Sequence, residues 1–152
     1  SIAVSGHKFF GLDEPMGIFL TTQATKSKIN PFKVNYLNEA VPTITCSRNA
    51  VSALKFWWKI KKKGAAAYEA DAKGMLANAQ YLKTQLDKIG WPVRLNEYSN
   101  TVYFRRPSET VMKKYGLAPD SDARLGGDLA HIVVMPSVTR DVLNQFVSDI
   151  NQ

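Results

Sequence analysis

One apolar period dominates the chain between Ala65 and Ile89. Tyr68, Ala72, Met75, Leu76, Ala79, Leu82, Leu86 and Ile89 recur three and four residues apart, the spacing of an α-helix buried along one face. Gly90 and Pro92 end it. Gly74 inside the run weakens it slightly. A second helix is expected before it, from an Asn49 cap to about Lys63, with Gly64 as the break. Its apolar positions are Val51, Leu54 and Trp58, with Phe56 and Trp57 on a broader face.

These helices divide the chain. Before them, Ile2–Val4 and residues 17–22 read as short buried strands, the second after the Pro15-Met16-Gly17 turn signal. Residues 23–48 are polar and irregular, and a loop of that length in a compact domain tends to be functional or disordered. After them, Val93–Asn96 and Thr101–Arg105 read as strands around a polar turn at 97–100. Pro107–Tyr115 reads as a helix with Pro107 in its first turn. Residues 117–128 read as a Gly/Asp-rich connection, Ala130–Met135 as a buried strand, and Val138–Ile150 as an amphipathic helix on Val138, Val142, Phe146, Val147 and Ile150. The class is α/β: the tail of one domain over 1–48, linking helices over 49–90, and a small α+β domain over 91–152. The start, Ser1-Ile2-Ala3-Val4, falls within a strand and lacks Met. The expectation is the C-terminal part of a longer protein.

Composition removes several function classes. The 152 residues are 45% hydrophobic and 22% charged, as in globular domains. No uninterrupted apolar run is long enough to cross a bilayer, so no membrane partner is expected. Cys46 is the single cysteine, which excludes an internal disulfide framework and a multi-cysteine zinc site. One thiol fits a reducing cytoplasm. The net charge of +7 favours anionic ligands. Part of it is the run Lys59, Lys61, Lys62 and Lys63, where cations suit a helix C-terminus. No nucleic-acid motif accompanies it, and no nucleic-acid partner is expected.

The chemistry-bearing segment is Ser5-Gly6-His7-Lys8, directly after the first strand. A lysine at a strand end is fixed yet reachable, and its amine can form a Schiff base with an aldehyde. A neighbouring hydroxyl and imidazole can donate to a phosphate, and Gly6 permits close backbone approach or a positive φ. The tetrapeptide therefore suits a phosphorylated aldehyde, although four residues alone are more often a plain surface turn.

The wider context carries more. Val4-Ser5-Gly6-His7-Lys8-Phe9-Phe10-Gly11 resembles the cofactor-lysine segment of the pyridoxal-phosphate-dependent group II amino-acid decarboxylases. The similarity is greatest to short bacterial histidine decarboxylases and related plant serine decarboxylases. Further segments resemble the family in order: Pro15-Met16-Gly17-Ile18, Asn35-Tyr36-Leu37, Ser47-Arg48-Asn49, 98–107 and 127–136. Three positions depart from it. Cys46 stands where the family has Gly before Ser-Arg-Asn, Ala50-Val51 where Gly-His often follows, and Met16-Gly17 where the second strand has Cys-Gly.

The resemblance implies a fold-type I enzyme, represented by the end of the large cofactor-binding domain and the small C-terminal domain. It implies pyridoxal 5'-phosphate on Lys8, with Ser5 and His7 near the phosphate or the lysine. It also implies decarboxylation of a small-molecule amino acid, histidine first and serine or another small amino acid as the alternative. The partners implied are the N-terminal portion of the enzyme as a separate chain, and a second copy in a homodimer. Tyr36 is the candidate proton donor, or an aromatic that packs its loop. Ser47 is a phosphate contact or a helix-start polar group. Ser99 is a substrate contact or a turn serine. His131, inside an apolar strand, is expected to pack in the core with one hydrogen bond. Phe56, Trp57 and Trp58 are expected to pack the linking helix against the dimer or the large domain. Two other readings stay open: a pyruvoyl enzyme made from Ser1, which the Ser-Gly-His-Lys context disfavours, and a non-catalytic dimerisation or structural partner.

Overall fold

A computed structural model describes residues 1–28, 32–34, 39–41 and 49–151, with backbone alone at 32–34, 39–41 and 125. The chain forms two compact units, Ser1–Ala65 and Ala66–Gln152.

The first unit begins with an antiparallel hairpin of β1 (Ile2–Ser5) and β2 (Gly17–Leu20), Ser5 opposite Gly17 and Ile2 opposite Leu20. Both strands stand where the sequence places them, but neither is buried within the chain. Ile2, Phe19 and Leu20 are each more than half exposed. Their apolar character is real; among the described residues of this unit no second layer covers them. The segment read as irregular contains a short helix α1 (Gln23–Lys26), capped by Thr22, and a hairpin of β3 (Phe32–Val34) and β4 (Glu39–Val41).

Helix α2 (Ala50–Lys63) starts where Asn49 Oδ1 accepts from the Val51 amide at 2.9 Å, a cap typical of its residue type. It ends at Gly64, whose φ of 78° puts it in the left-handed region.

In the second unit, α3 (Ala65–Lys88, its first residue in the first unit) presents Met75, Ala79, Leu82 and Leu86 to the core. These residues are three or four positions apart, as the sequence period predicts. Burying Leu82 and Leu86 completely contributes roughly 1.5–3 kcal/mol each. Gly90 (φ 68°) closes the helix with two bonds, Gly90 N–H to Asp87 O and Trp91 N–H to Leu86 O. That pair satisfies carbonyls the helix end leaves free.

A four-stranded antiparallel sheet follows in the order β5 (Val93–Leu95), β6 (Thr101–Arg105), β8 (Gly127–Val133), β7 (Ala118–Asp122). Val102, Phe104 and Ala130 point from it into the core, where they meet α3, α4 (Glu109–Tyr115) and α5 (Arg140–Ile150). The edge strand β7 replaces the expected connection. Ala-Pro-Asp-Ser-Asp lacks the branched and aromatic residues that mark strands. Pro119 is tolerated there because an edge position does not need its N–H. Arg106 ties β7 down by donating to Asp120 O at 2.9 Å and Leu129 O at 3.2 Å.

Two helix details differ from expectation. Helix α4 begins after a Ser108 cap, so Pro107 precedes the helix and is not in its first turn. In α5 the core positions are Leu143, Phe146 and Ile150, and Val142 is 46% exposed. The Thr139 cap, one residue into the segment read as helix, sets that register. Among the described residues, no helix is long and apolar enough to cross a membrane.

Candidate functional site

The lysine turn is built on two backbone pins. At the end of β1, Gly6 N–H donates to Met16 O at 2.7 Å, and Leu12 N–H donates to Gly6 O at 3.1 Å. Between them the chain turns tightly, with Lys8 N–H to Ser5 O at 3.3 Å and Gly11 N–H to Lys8 O at 2.9 Å. Leu12 is the buried plug beneath the turn, at 5% exposure. Gly6 is required by that plug. A Cβ there would lie 2.8 Å from Leu12 Cδ1 and 3.3 Å from Met16 Cβ. Its φ is not positive, so of the two reasons for a glycine only close approach applies, and the approach is to Leu12. Gly11 is the position with the left-handed backbone, φ 67°.

This frame carries Ser5, His7 and Lys8 within four residues at one strand end. Ser5 is half-buried, and His7 and Lys8 are exposed. Among the described residues, the Lys8 ammonium has no ion-pair or hydrogen-bond partner. An amine free of a carboxylate, with a hydroxyl and an imidazole within three residues of it at the same strand end, is a donor set that fits an aldehyde and a phosphate. The residues present thus fit one end of a pyridoxal phosphate molecule.

Helix α2 grips the turn through Ser52 and Lys55, which the sequence reading did not single out, and through Phe56, which it did. Lys55 Nζ donates to both Asp13 carboxylate oxygens, at 3.0 and 3.1 Å, and lies 3.4 Å from Glu14 Oε1. Ser52 Oγ donates to Glu14 Oε1 at 3.0 Å. The Phe56 ring meets Phe10 edge-on, centroids 5.0 Å apart. The hydrogen bond from Lys55 holds the Asp13 carboxyl below the usual carboxylate range, and the same bond holds the Lys55 ammonium above the ordinary lysine value. The signal was present in the sequence: Ser52, Lys55, Phe56 and Lys59 share one helix face. That face differs in character from the Val51-Leu54-Trp58 stripe.

Ser99 lies in the second unit, in the β5–β6 turn. Its Oγ accepts from the Thr101 amide at 3.1 Å and its own amide donates to Asn96 O at 3.2 Å. Tyr98 beside it has φ 56° and is 84% exposed. Ser99 therefore does the work of a turn serine. Tyr36 and Ser47, like Cys46 and Arg48, lie outside the described residues. Ser5 ends β1, and His7 and Lys8 lie in the turn that follows it; Ser99 belongs to the other unit.

His131 is half-buried on β8, with its ring 5.2 Å from that of Tyr103. The expected hydrogen bond is absent among the described residues. Among the described residues Nδ1 is buried without a hydrogen-bond partner, and Asp120 Oδ2 stands at 3.6 Å, too long for a hydrogen bond. The side chain lies on the sheet face opposite the core, because it is cross-strand from Tyr103 while its neighbour Ala130 faces Phe104. Among the described residues, no group of three or more His, Cys, Asp or Glu could hold a metal.

No family model matches the chain. Comparison with characterised proteins is decisive. The chain is 36% identical over 153 aligned residues to the histidine decarboxylase of Solanum lycopersicum, using all of this chain and 35% of the relative. It is 36% identical over 153 residues to serine decarboxylase 1 of Oryza sativa subsp. japonica, again over all of this chain and 30% of the relative. The L-methionine decarboxylase of Streptomyces sp. 590 superposes with a TM-score of 0.76 at 26% identity, covering 98% of this chain and 31% of that one. Along its whole length the chain is similar to histidine and serine decarboxylases, and in fold to an L-methionine decarboxylase. Its mixed α/β fold matches a C-terminal portion of these decarboxylases, and the chain spans about a third of the length of its relatives.

Proposed function

We propose that this chain is the lysine-bearing part of a pyridoxal-phosphate-dependent amino-acid decarboxylase, with L-histidine as the first substrate and serine or another small amino acid as the alternative. One observation carries the reading. Lys8 stands unpaired among the described residues on a doubly pinned turn, in a chain that aligns along its whole length with histidine and serine decarboxylases.

Lys8 Nζ would hold the aldehyde of the cofactor, and Ser5 and His7 would donate to its phosphate. When bound, the cofactor supplies an electron sink for the bond to the departing carboxylate. The chain's own residues supply position. The Gly6 pin and the Leu12 plug fix where the Lys8 backbone stands, so the amine searches only its own rotamers. Tyr36 is the proposed donor of the proton that replaces carbon dioxide, and Ser47 a phosphate contact. The hydroxyl of Ser99 accepts from Thr101 yet keeps its own hydrogen to donate to a substrate.

The remaining two thirds of the enzyme, and a second copy of the whole, are the proposed partners. Leu54, Trp57 and Trp58 are each more than half exposed and, with Lys55, line an apolar groove of about 360 Å³ on α2. Exposed apolar patches of this kind mark interaction sites.

The test is Lys8→Ala in the assembled enzyme. Carbon dioxide release from histidine should fall to background, and borohydride should no longer fix cofactor to this chain. Full activity in the variant would end the proposal. Release from serine and none from histidine would move the substrate to the alternative.

A further inference from the structure

Lys55 is more than a surface charge. We propose that it is a positioning residue for Lys8, acting through Asp13 and Glu14 with Ser52 and Phe56 beside it. The inference rests on the reading of Lys8 as the cofactor lysine.

The lysine turn has two ends and α2 holds both. On the near side, Phe10 is two residues past Lys8 and packs edge-on against Phe56. On the far side, Asp13 and Glu14 follow Leu12, whose amide closes the loop on Gly6, and precede Met16, whose carbonyl receives the Gly6 amide. Any shift of Asp13 and Glu14 therefore moves both pins. Lys55 is one cation serving two adjacent carboxylates. Without it those carboxylates repel, and Ser52 alone holds Glu14. Lys59, one turn further along, places Nζ 3.8 Å from where a Gly11 Cβ would lie, so the cationic face continues along the loop. The aliphatic stem of Lys55 lines the Leu54-Trp57-Trp58 groove while its ammonium reaches the loop.

Exposed ion pairs contribute little to global stability. The consequence of this one should appear in the geometry of the turn, and hence in the readiness of Lys8.

The experiment uses the complete enzyme carrying Lys55→Met, Lys55→Arg, or Asp13→Asn with Glu14→Gln. Two quantities are read: the rate at which pyridoxal phosphate is fixed to Lys8 by borohydride, by peptide mass, and amide exchange at Gly6 and Leu12. Lys55→Met should slow fixation about fivefold and speed exchange at both amides by a similar factor. The loss should fall on kcat more than on KM. Lys55→Arg should restore both readouts to within about twofold, because guanidinium can serve the same two carboxylates. Both readouts unchanged in Lys55→Met, or Lys55→Arg as damaged as Lys55→Met, would overturn the proposal. If Lys55→Met fails to fold, the Asp13→Asn, Glu14→Gln enzyme decides in its place, with the same slowing expected and no slowing fatal. If wild-type Lys8 takes up no cofactor at all, the functional reading fails. Amide exchange alone then decides whether Lys55 sets the turn.

Discussion

The two units of this chain bury apolar surface on opposite plans. In Ala66–Gln152, three helices cover one sheet face, and Leu82, Leu86, Val102, Phe104, Leu143 and Phe146 are essentially inaccessible. In Ser1–Ala65, Leu12 is the sole buried apolar side chain among the described residues, while Ile2, Phe19, Leu20, Leu54, Trp57 and Trp58 are exposed. The sequence is apolar in both. What differs is whether the chain itself supplies the second layer. A two-stranded hairpin is marginal alone, and among the described residues β1 and β2 are left largely exposed. Among the described residues, the unit that carries Lys8 is thus the sparsely buried one, and the well-packed unit carries Ser99.

The largest break in that comparison comes from the complete core. Phe146 packs against Phe104 and Tyr115, with ring centroids at 5.4 and 5.1 Å. Phe146→Ala should cost about 3–5 kcal/mol through lost transfer energy and a residual cavity. Urea denaturation followed by far-UV circular dichroism would measure it. Leu12→Ala should cost about 2 kcal/mol, the low end for a buried leucine, because an open unit collapses more easily around the gap. Equal costs would mean the two units are equally well packed, against the burial pattern.

A sharper and smaller effect is expected at Gly6. An added methyl meets Leu12 Cδ1 at 2.8 Å and Met16 Cβ at 3.3 Å. The leucine tip can rotate, whereas the Met16 Cβ is fixed to a backbone that also accepts the Gly6 amide. Gly6→Ala should therefore cost about 1–3 kcal/mol in the assembled enzyme. It should slow cofactor fixation at Lys8 while leaving the second unit's unfolding unchanged. A Gly6→Ala enzyme with normal stability and normal fixation would show that the plug does not hold the turn.

The complete unit was also the more legible one in sequence. The α3 period, the Gly90 stop and the strand at 101–105 were readable because local pattern and tertiary burial agree there. The misses have physical reasons. Strand β7 is made of Ala-Pro-Asp-Ser-Asp, and only pairing with β8 makes it a strand. Val142 fits an apolar period but faces solvent, since the Thr139 cap sets the register on Leu143 and Phe146. In the first unit the strands were read correctly, but their burial was not: an apolar run marks what can be buried, and among the described residues of this unit little packs over β1 and β2. The lysine turn was legible from Ser5-Gly6-His7-Lys8. Its brace was not, because Lys55 and Asp13 are 42 residues apart and nothing local joins them.

The smallest effect concerns a charge cluster at the end of α5. Asp149 accepts from Lys114, from Tyr115 at 2.6 Å and from Gln145 at 2.9 Å. The Lys114 bond, followed by those of Tyr115 and Gln145, lowers the Asp149 carboxyl to about 2. Burial, then the Asp149 bond, pushes the Tyr115 hydroxyl up to about 12. The signs follow. A carboxyl lowered on folding stabilises the fold above its unfolded value near 3.8, and that contribution is lost as pH falls from there through about 2. A phenol raised on folding stabilises below its unfolded value near 10, and that contribution is lost as pH rises through about 12. Denaturation midpoints should therefore fall below pH 4 and again above pH 10. Asp149→Asn should flatten the acid limb, and Tyr115→Phe the alkaline one. The first unit supplies the contrast. Its Asp13 carboxyl is also held low by a lysine, but it braces a turn rather than a core. Acid should then loosen the Lys8 turn before it unfolds the second unit, and amide exchange at Leu12 measured against exchange at Val102 from pH 5 downward would order the two events. Simultaneous loss at both amides would mean that the units share one cooperative transition.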